Sequence, residues 1–487
     1  MPMRFPLLAL ASLLGSDVAI EARESKPTRL PNVVIIYADD LGYGDLGCYA
    51  AKGGNTPHLD RMAKEGVRFT DFYVAQPVCS ASRAALLTGC YPNRVGILGA
   101  LGPASKIGIS ASEKTIADVL GSRGYASASY GKWHLGHRPT FLPTRHGFGD
   151  YFGLPYSNDM LLSKSRPKDP PLPLIEGEKT LSTNPDQSKL TTWYTERALK
   201  FIEKHRKEPF FLYVPHAMPH VPLHVSDKFA GKSKQGLYGD VLMEIDWSVG
   251  QILGAIKKHG LDDDTLVIFA SDNGPWINYG NHAGSPGSLR EGKGTTWEGG
   301  VRVPCVMRWP GKIAPGGICK EPAMTIDLLP TLAGLAGAKL PTLPIDGKDI
   351  WPLISGKAGA KSPHEAYYFY WNNELQAVRS GKWKLHLPHT YRTLGTEPPG
   401  KDGKPGIYKQ TRTPMALYDL AIDMAEKTNV ADKHPDIVEH LRKLAESMRE
   451  DLGDSLTKSD GKGRRAAGKV DRGSRIDRTI HESKGMD

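Results

Sequence analysis

The segment Asn32–Asp40, NVVIIYADD, is an unbroken apolar run that ends in two aspartates. Such a run is typical of a strand that is buried on both faces, as in a parallel sheet. Phe210–His220, FFLYVPHAMPH, and Thr265–Gly274, TLVIFASDNG, have the same form. Because ligands bind outside the carboxyl ends of parallel strands, we expect the polar residues that end these three runs to meet. These residues are Asp39, Asp40, His220, Asp272 and Asn273.

Segments with apolar residues three and four positions apart alternate with these strands, which predicts an α/β fold. They end in glycine or basic residues, as helices do, and they cover residues 56–66, 115–125, 195–205 and 238–260. After about Gly356 the chain changes to short extended segments: AYYFYW, LQAVRS, WKLHL and ALYDL. An amphipathic helix follows, and it carries Ile437, Leu441, Leu444 and Met448 on one face. This part predicts a small antiparallel sheet with a packing helix.

The length of 487 residues exceeds that of one ordinary domain, so we expect a large domain and a smaller one. We place the large α/β domain at residues 30–356 and the smaller α+β subdomain at residues 357–454. From about Ser455 the sequence loses periodicity and becomes rich in Lys, Arg and Gly. This composition predicts a basic, flexible tail over residues 455–487.

Residues 1–24 have the form of an export signal, because Arg4 precedes an apolar stretch from Phe5 to Leu14 and then small or polar residues. The stretch is too short to span a membrane, and no later segment is a long uncharged apolar run. We therefore expect no transmembrane segment and an exported product, either periplasmic or secreted. A frayed N-terminus is the alternative.

The formal net charge of +10 favours anionic partners, but it does not separate nucleic acid from acidic glycans or small anions. Much of the basic excess lies in the C-terminal tail. We therefore expect a solvated tail and no nucleic-acid partner.

The five cysteines lack the paired CxxC spacing of a zinc site. Their odd number leaves at least one thiol unpaired in an exported protein. Cys305 and Cys319 could form a disulfide.

Cys79 lies in Pro77–Gly89, PVCSASRAALLTG, at the predicted start of a short helix. Ser80 and Ser82 are common capping residues, and Gly89 can end the helix. The unpaired backbone NH groups of a helix start bind anions and lower the pKa of a thiol, so Cys79 is a candidate nucleophile. Taken alone, a cysteine in this position is more often a small buried apolar residue.

Oxygen ligands are concentrated at two of the strand ends, at Asp39, Asp40, Asp272 and Asn273. This all-oxygen set suits a hard divalent cation, Ca²⁺ first and Mg²⁺ second, and it excludes a thiolate zinc site. A single pair of this kind usually belongs to a turn or a helix cap, but two pairs at two strand ends indicate a metal site.

Basic residues lie in glycine-containing motifs and beside Cys79. Lys132 and His134 in GKWHLG stand two positions apart, so they point to the same side of an extended segment. Lys293 lies in EGKGTT, where the neighbouring glycines let its ammonium approach an anion closely. Arg83 lies one helical turn after Cys79 and adds positive charge.

CSASR followed by AALLTG, together with GKWHLGH at residues 131–137 and GKGTTWEGGVRVP at residues 292–304, resembles the type I sulfatases. The similarity is greatest to the arylsulfatase A and N-acetylgalactosamine-6-sulfatase branch. It extends from about Asn32 to LYDLAIDMAEKTNV at residues 417–430. The resemblance implies an alkaline-phosphatase-like fold, in which helices enclose a mixed, mainly parallel sheet, and a smaller C-terminal domain.

The resemblance implies hydrolysis of a sulfate ester, an aryl sulfate in vitro and a sulfated carbohydrate naturally, to an alcohol and inorganic sulfate. In this family a maturation enzyme oxidises the cysteine of C-x-P-x-R to formylglycine, an aldehyde whose hydrate is the nucleophile. Cys79 and Arg83 match that pattern, whereas Ala81 replaces the usual proline. This difference bears on which maturation enzyme acts on the chain.

The resemblance also implies how the other residues act. Lys132 and Lys293 would bind the sulfate, together with a cation held by Asp39, Asp40, Asp272, Asn273 and residue 79. Arg83 would fix the formylglycine, and Asp272 would take a proton from its attacking hydroxyl.

Two histidines would complete the proton transfers. His220, near Lys293, would protonate the leaving alcohol, and His134 would take the proton of the second hydroxyl so that sulfate is expelled. His220 precedes an x-Pro pair as the family's histidine does, whereas His216 has no counterpart.

The substrate-contacting residues are predicted from loops. GLPYSNDM at residues 153–160 resembles a pocket segment in which the arylsulfatase A branch has a histidine at the position of Asn158. Tyr156, Asn158, Asp159 and the loop Trp276–Arg290 are the candidates, and a structural loop role is the alternative for each.

Two other functions compete with a sulfatase. A phosphatase or phosphodiesterase of the same superfamily would generally use Ser or Thr beside two metals with histidine ligands, whereas this chain offers Cys79 and ligands for one metal. A non-catalytic binder of sulfated glycans would leave Cys79 unconverted and its proton-transfer residues without a purpose.

Overall fold

The structure of the chain is a computed structural model that describes Met1 and residues 29–50, 55–163 and 166–470. The predicted export signal and residues 471–487 lie outside these ranges. The helices, in chain order, are α1 (Pro57–Glu65), α2 (Cys79–Thr88), α3 (Ile116–Gly121), α4 (Leu190–Lys204), α5 (Gly236–Lys258), α6 (Glu298–Val301), α7 (Leu328–Ala336), α8 (Trp351–Ile354) and α9 (Pro435–Leu452). Within the described ranges, none of the helices is long and apolar enough to cross a membrane.

The strands of the described residues, in chain order, are β1 (Asn32–Ala38), β2 (Val67–Phe69), β3 (Phe72–Tyr73), β4 (Ile107–Gly108), β5 (Ala126–Tyr130), β6 (Asp150–Gly153), β7 (Pro173–Glu176), β8 (Lys179–Thr183), β9 (Phe210–Pro215), β10 (Thr265–Ser271), β11 (Cys305–Arg308), β12 (Gly317–Cys319), β13 (Ala323–Met324), β14 (Tyr367–Trp371), β15 (Glu374–Ser380), β16 (Trp383–His386), β17 (His389–Thr393), β18 (Lys409–Thr413), β19 (Ala416–Asp419) and β20 (Gly468–Lys469). The three apolar runs of the sequence form β1, β9 and β10.

Ten strands form the main sheet, in the order β12-β2-β11-β10-β1-β9-β5-β6-β7-β8. The five central strands, from β10 to β6, run parallel, and β1 lies between β10 and β9. Antiparallel pairs flank this centre on both sides, at β10-β11 and β6-β7. The prediction of a mixed, mainly parallel sheet is therefore confirmed.

Both faces of β1 are buried, as its unbroken apolar sequence predicts. Val33, Ile35 and Tyr37 pack into one cluster, with side chains of α2, α3 and α7, while Val34, Ile36 and Ala38 pack into the other, with side chains of α1, α4 and α5. Burial of each large aliphatic side chain contributes about 1.5–3 kcal/mol, so this strand is stabilised from two layers. The central strands are thereby held in place, and their carboxyl ends are fixed relative to one another.

The C-terminal part contains a four-stranded antiparallel sheet in the order β14-β15-β16-β19. Its strands correspond to the four short extended segments of the sequence, and α9 packs against β15 and β16. Leu441 and Met448 are buried on the packing face of α9, as predicted. Lys384 of β16 joins this sheet to the large domain, because its Nζ contacts Glu298 Oε1 at 2.8 Å.

Residues 455–470 do not form the flexible tail that their composition predicts. β20 pairs with β4 of the large domain, and Arg465 Nε donates to the buried Glu113 Oε1 at 2.7 Å. Composition is a poor guide here because a basic residue that finds a buried carboxylate is held in place. Residues 471–487 lie outside the described ranges, so the prediction of a tail is untested there.

All five cysteines are free thiols in the structure, so the suggested disulfide between Cys305 and Cys319 is absent. Cys305 on β11 and Cys319 on β12 both lie opposite Phe69, on the two sides of β2. Strand spacing of about 4.8 Å places the two cysteines almost 10 Å apart, which exceeds the reach of a disulfide.

Candidate active site

Four neighbouring strands of the main sheet end at one site. β10, β1, β9 and β5 lie side by side, and each is followed by predicted site residues. Asp272 and Asn273 follow β10, Asp39 and Asp40 follow β1, His220 lies in the loop after β9, and Lys132 and His134 follow β5. All of these side chains are buried. The structure therefore brings together the residues that the sequence places at the strand ends.

The polar groups at these strand ends form one cluster of hydrogen bonds and closely spaced ligand atoms. Asn273 Nδ2 donates to Asp40 Oδ1 at 2.7 Å, and the backbone NH of Asp40 donates to Asp272 Oδ1 at 3.1 Å. Ligand atoms of Asp39, Cys79 and Asp272 lie within 4.8 Å of one another, as do those of Asp39, Asp40 and His220. Cys79, on α2, thus reaches the cluster from the helical layer beside the sheet.

Two oxygens of this cluster lack a hydrogen-bond donor among the described residues. They are Asp39 Oδ1 and Asn273 Oδ1, and both are buried. A buried acceptor without a partner is costly, so such an atom needs an explanation. A divalent cation with oxygen ligands provides one, since these two oxygens lie in a cluster of buried carboxylates. The donor set therefore fits Ca²⁺ or Mg²⁺.

The charges of the cluster also favour a cation. Burial and then the neighbouring Asp39 raise the pKa of Asp272, although Arg83 acts in the opposite direction. Burial also acts to raise the pKa of Asp39, but Lys132, His220 and Arg83 together hold it below its ordinary value. These buried carboxylates repel one another, and a bound divalent cation would relieve that repulsion.

Helix α2 begins at Cys79 and ends at Gly89, whose φ of 68° is the left-handed conformation that glycine adopts readily. The predicted capping role of the two serines is wrong, because Val78 precedes the helix without a side-chain cap. Ser80 Oγ instead accepts from the backbone NH of Leu101, and Ser82 Oγ pairs with the hydroxyl of Tyr37. These bonds fix α2 against the sheet and therefore fix the position of residue 79.

The thiol of Cys79 is not activated. Burial raises its pKa, although Lys132 and Lys293 act to lower it. The predicted lowering by the helix start is therefore wrong, because that effect amounts to at most about 2 kcal/mol and the loss of hydration outweighs it.

The three predicted cations are paired with carboxylates of the cluster. Arg83 donates to Asp272 Oδ2 from Nε at 3.0 Å and from Nη2 at 2.8 Å. Lys132 Nζ contacts Asp39, and Lys293 Nζ lies 2.7 Å from Asp40 Oδ1. Arg83 therefore holds Asp272 in place, while the two ammonium groups supply the positive charge beside Cys79.

The buried histidines have defined tautomers. His134 Nε2 lies 3.0 Å from the carbonyl oxygen of Leu101 and must donate to it, which leaves Nδ1 as an unprotonated acceptor without a partner among the described residues. His220 Nδ1 lies 2.5 Å from the carbonyl oxygen of Val221, and its Nε2 lies 3.6 Å from Asp40 Oδ2. Burial lowers the pKa of both.

His216 does not join the cluster. Its Nε2 lies 3.2 Å from Ser248 Oγ of α5, and its ring packs near Tyr194 of α4. His220 therefore lies at the acidic cluster, whereas His216 lies between α4 and α5.

The predicted substrate residues are only partly at the site. Tyr156 lines a separate cavity with His137 and Arg138. Asn158 Nδ2 donates to Gln187 Oε1 at 3.1 Å, which is a structural contact. Asp159 Oδ2 accepts from Arg166 Nη2 at 3.1 Å, while its Oδ1 is buried without a partner among the described residues.

The loop Trp276–Arg290 reaches the site at its first residue. The ring of Trp276 lies 4.5 Å from Lys293 Nζ and 5.5 Å from the ring of His220. Arg290, at the other end, donates to the carbonyl of Glu426 and to the hydroxyl of Tyr391, which is a structural role.

Three site residues were missed from the sequence. Ser157 Oγ accepts from Lys132 Nζ at 3.0 Å and lies within the pocket segment that was identified. Trp371 of β14 packs against the cluster of Val78, Cys79 and Ala81, and Arg392 of β17 donates from Nε to the carbonyl of Lys293 at 3.1 Å. The last two come from the C-terminal part, where no motif marks them.

Comparison with known families gives matches over most of the chain. The family model named Sulfatase matches residues 31–338, and the model for the C-terminal region of aryl-sulfatase matches residues 362–463. A C-terminal model of N-sulphoglucosamine sulphohydrolase also matches residues 292–390.

Individual relatives are similar over nearly the whole length. Arylsulfatase A of Homo sapiens is 42% identical over 448 residues, which cover 85% of this chain and 87% of that protein. N-acetylgalactosamine-6-sulfatase of Mus musculus is 40% identical over 405 residues, which cover 78% of this chain and 75% of that protein. The crystal structure of the sulfatase PsFucS1 from Pseudoalteromonas sp. superposes with a TM-score of 0.77 at 27% identity, and covers 90% of this chain and 92% of that one.

Proposed function

This chain belongs to the sulfatase family, and we propose that it hydrolyses its sulfate ester with a formylglycine made from Cys79. A hydrate of that aldehyde would be the nucleophile, a sulfated carbohydrate the natural substrate, and an aryl sulfate an accepted one in vitro. The observation that carries the proposal is the position of Cys79 at the start of α2, within 4.8 Å of two carboxylates that are paired with Arg83 and Lys132. Residue 79 therefore faces both the candidate metal ligands and the cationic side chains that suit an oxyanion.

The candidate metal ligands are Asp39, Asp40, Asp272, Asn273 and residue 79. When Ca²⁺ is bound there, it supplies a Lewis acid that polarises a sulfate oxygen. The side chains themselves provide the ligand oxygens, and Arg83 holds one of those carboxylates in a fixed orientation.

The two lysines bind the sulfate. The ammonium group of Lys132 is paired with Asp39 and that of Lys293 with Asp40, so the two groups can contact different sulfonyl oxygens. They are buried and already oriented by Asp39 and Asp40, so little reorganisation is needed when negative charge develops. Asp272 accepts the proton of the attacking hydroxyl, since its carboxylate lies in the same group of ligand atoms as residue 79.

The two histidines move protons on the two sides of the reaction. His220 donates from Nε2 to the departing alcohol, because its Nδ1 is engaged with the carbonyl of Val221 and Asp40 stabilises the protonated ring. His134 accepts at Nδ1 the proton of the second hydroxyl, because its Nε2 hydrogen is committed to the carbonyl of Leu101. Each histidine acts through the ring nitrogen that is not hydrogen-bonded to a backbone carbonyl.

Substitution His220→Ala is expected to lower kcat/KM for an alkyl sulfate by about 100-fold or more, because an alkoxide leaves poorly without a general acid. Hydrolysis of 4-nitrophenyl sulfate should fall much less, since nitrophenolate leaves without protonation. Steady-state kinetics with a series of leaving groups checks this. The matched control is His216→Gln, a buried histidine four positions earlier, which should affect both esters alike and weakly. Equal losses on both esters for His220→Ala would show that His220 does not protonate the leaving group.

The proposal as a whole is tested by the mass of the peptide around residue 79, measured on protein made with and without a sulfatase-maturating enzyme. Hydrolysis of a chromogenic aryl sulfate is measured on the same samples. We expect the aldehyde mass and the activity to appear together. Full conversion with cleavage of a phosphodiester but of no sulfate ester would favour a phosphodiesterase. A thiol that persists in every host would favour a non-catalytic glycan binder.

Two further proposals concern the cellular context. We propose that the protein is exported, to the periplasm or beyond, on the basis of the Arg4 and Phe5–Leu14 pattern near its start. We also propose that a formylglycine-generating or related enzyme acts on the C-S-A-S-R segment. Because Cys79 is buried in the folded chain, that enzyme would have to act before folding is complete.

A further inference from the structure

Arg392 of β17 is a half-buried arginine that has no carboxylate within ion-pairing distance among the described residues. Its Nε and Nη2 both donate to the carbonyl of Lys293, and the guanidinium has three further N–H donors. Three neighbouring arginines, by contrast, are paired with acids: Arg83 with Asp272, Arg302 with Asp71, and Arg379 with Asp71. Arg392 is therefore a cation without an ion-paired carboxylate among the described residues, although Asp40 and Glu291 act on its charge from beyond ion-pairing distance.

The surroundings of Arg392 are aromatic. Its Cζ lies 5.9 Å from the ring of Trp276, 5.9 Å from the ring of Trp371 and 4.8 Å from the ring of Tyr408. These three rings are themselves only half-buried, so they form an accessible surface. Flat aromatic faces beside a cation can pack against a sugar ring while its charged substituent meets the guanidinium.

This group adjoins the reacting residues on two sides. Trp371 packs against the cluster of Val78, Cys79 and Ala81, and Trp276 lies 4.5 Å from Lys293 Nζ and 5.5 Å from the ring of His220. The indole of Trp371 thus lies between Arg392 and the cluster that contains the proposed nucleophile. The indole of Trp276 lies between Arg392 and His220, the proposed general acid. A group bound at Arg392 would belong to the same molecule as the sulfate that is cleaved.

Two more observations indicate that the space is built for a ligand. The indole NH of Trp276 is buried and has no acceptor among the described residues. A Cβ added at Gly294, where φ is 80°, would lie 2.3 Å from Arg392 Nη2, so the glycine leaves room for the guanidinium.

Resting on the proposed function, we propose that Arg392, Trp276 and Trp371 form a subsite for a second oxyanion, a carboxylate or another sulfate, on the sulfated substrate. Guanidinium binds planar oxyanions through two parallel N–H bonds, and such charge-assisted bonds are stronger than neutral ones. The substrate class is therefore a sulfated saccharide that carries at least one negative charge besides the sulfate that is cleaved.

The test uses aryl sulfates that differ only in charge, namely 3- and 4-carboxyphenyl sulfate and the corresponding carbamoylphenyl sulfates. We expect the wild-type protein to hydrolyse at least one carboxylate isomer with a kcat/KM about tenfold above that of its carboxamide, because hydrogen bonds to a charged acceptor are stronger than those to a neutral one. Arg392→Gln should abolish this preference, because it should lower kcat/KM for the carboxylate more than for the carboxamide. Arg392→Lys should keep part of the preference.

Arg412→Gln is the matched control, since Arg412 is exposed on β18, the strand paired with β17, and carries the same charge. It should leave the preference unchanged. If Arg392 only holds the Lys293 loop, Arg392→Gln will lower kcat/KM for the carboxylate and the carboxamide by the same factor, and the subsite is refuted. A wild-type protein that treats both members of each pair alike refutes it as well. If none of the four esters is hydrolysed although residue 79 carries the aldehyde, the proposed function itself fails, and the subsite with it.

Discussion

Replacing Cys79 with alanine is expected to reduce kcat for aryl sulfate hydrolysis by at least about 1000-fold. Alanine cannot be oxidised to the aldehyde, so the site would keep its lysines and acidic cluster without a nucleophile. The remaining activity would come only from binding and charge stabilisation. Measurement of kcat on purified variant and wild-type protein, with peptide mass at residue 79, checks this expectation.

The fold should survive this change. Cys79 belongs to a small apolar cluster with Val78 and Ala81, against which Trp371 packs, so removal of its sulfur costs about 1 kcal/mol and leaves the elements that hold the site in place. Thermal unfolding of the variant should therefore remain cooperative, with a Tm only slightly lower. Cys305→Ala is the matched control, because it removes another buried free thiol, on β11, and should leave activity intact.

Cys79→Ser gives a sharper version of the same test. A serine hydroxyl could attack sulfur once, but it lacks the second hydroxyl whose proton His134 would take. We therefore expect a single turnover and a stable mass increase of one sulfuryl group on residue 79. Sustained turnover by the Cys79→Ala protein would contradict the assignment of the nucleophile.

Removal of the divalent cation is expected to lower kcat/KM by at least about 100-fold, because an oxyanion site that loses one of its main positive charges loses several kcal/mol of transition-state stabilisation. The structural reason is the cluster of three buried carboxylates, in which Asp39 Oδ1 and Asn273 Oδ1 have no other partner among the described residues. Exhaustive chelation, confirmed by elemental analysis, and then titration with Ca²⁺ or Mg²⁺ measures the effect.

The same cation should stabilise the fold. A ligand that binds only the native state at 100 times its Kd adds about 2.7 kcal/mol, so Tm should rise when Ca²⁺ is added to the metal-free protein. Asp39→Ala should abolish this rise. Asp45→Asn is the matched control, since Asp45 is a buried carboxylate whose oxygens already accept from Gly42, Tyr238 and Ser285. Full activity in protein shown to be free of metal would rule out a catalytic cation.

The residues at the strand ends show how much of the site can be predicted from the sequence. Unbroken apolar runs predicted β1, β9 and β10, and the rule that parallel strands present their carboxyl ends together predicted that Asp39, Asp40, His220, Asp272 and Asn273 would meet. The prediction succeeded because hydrophobic periodicity and strand direction are local properties of the chain.

Other predictions failed where burial or a long-range contact decides the result. The pKa of Cys79 is raised instead of lowered, since loss of hydration outweighs the helix start. Residues 455–470 pack on the large domain because Arg465 meets Glu113, more than 300 positions away. The suggested disulfide fails because β2 lies between the two cysteines.

The sequence by itself determined the α/β class, the strand-end carboxylates, the position of Cys79 at a helix start and, through its motifs, the resemblance to sulfatases. Only the tertiary structure decided which cation pairs with which aspartate, which nitrogen of each histidine is free, and that Trp371 and Arg392 of the C-terminal part reach the site. Arg392 lies on β17 and Lys293 lies 99 positions earlier, in the loop before α6, so no local pattern links them. Pairing and desolvation depend on the three-dimensional neighbours of a group, and periodicity along the chain does not encode those neighbours.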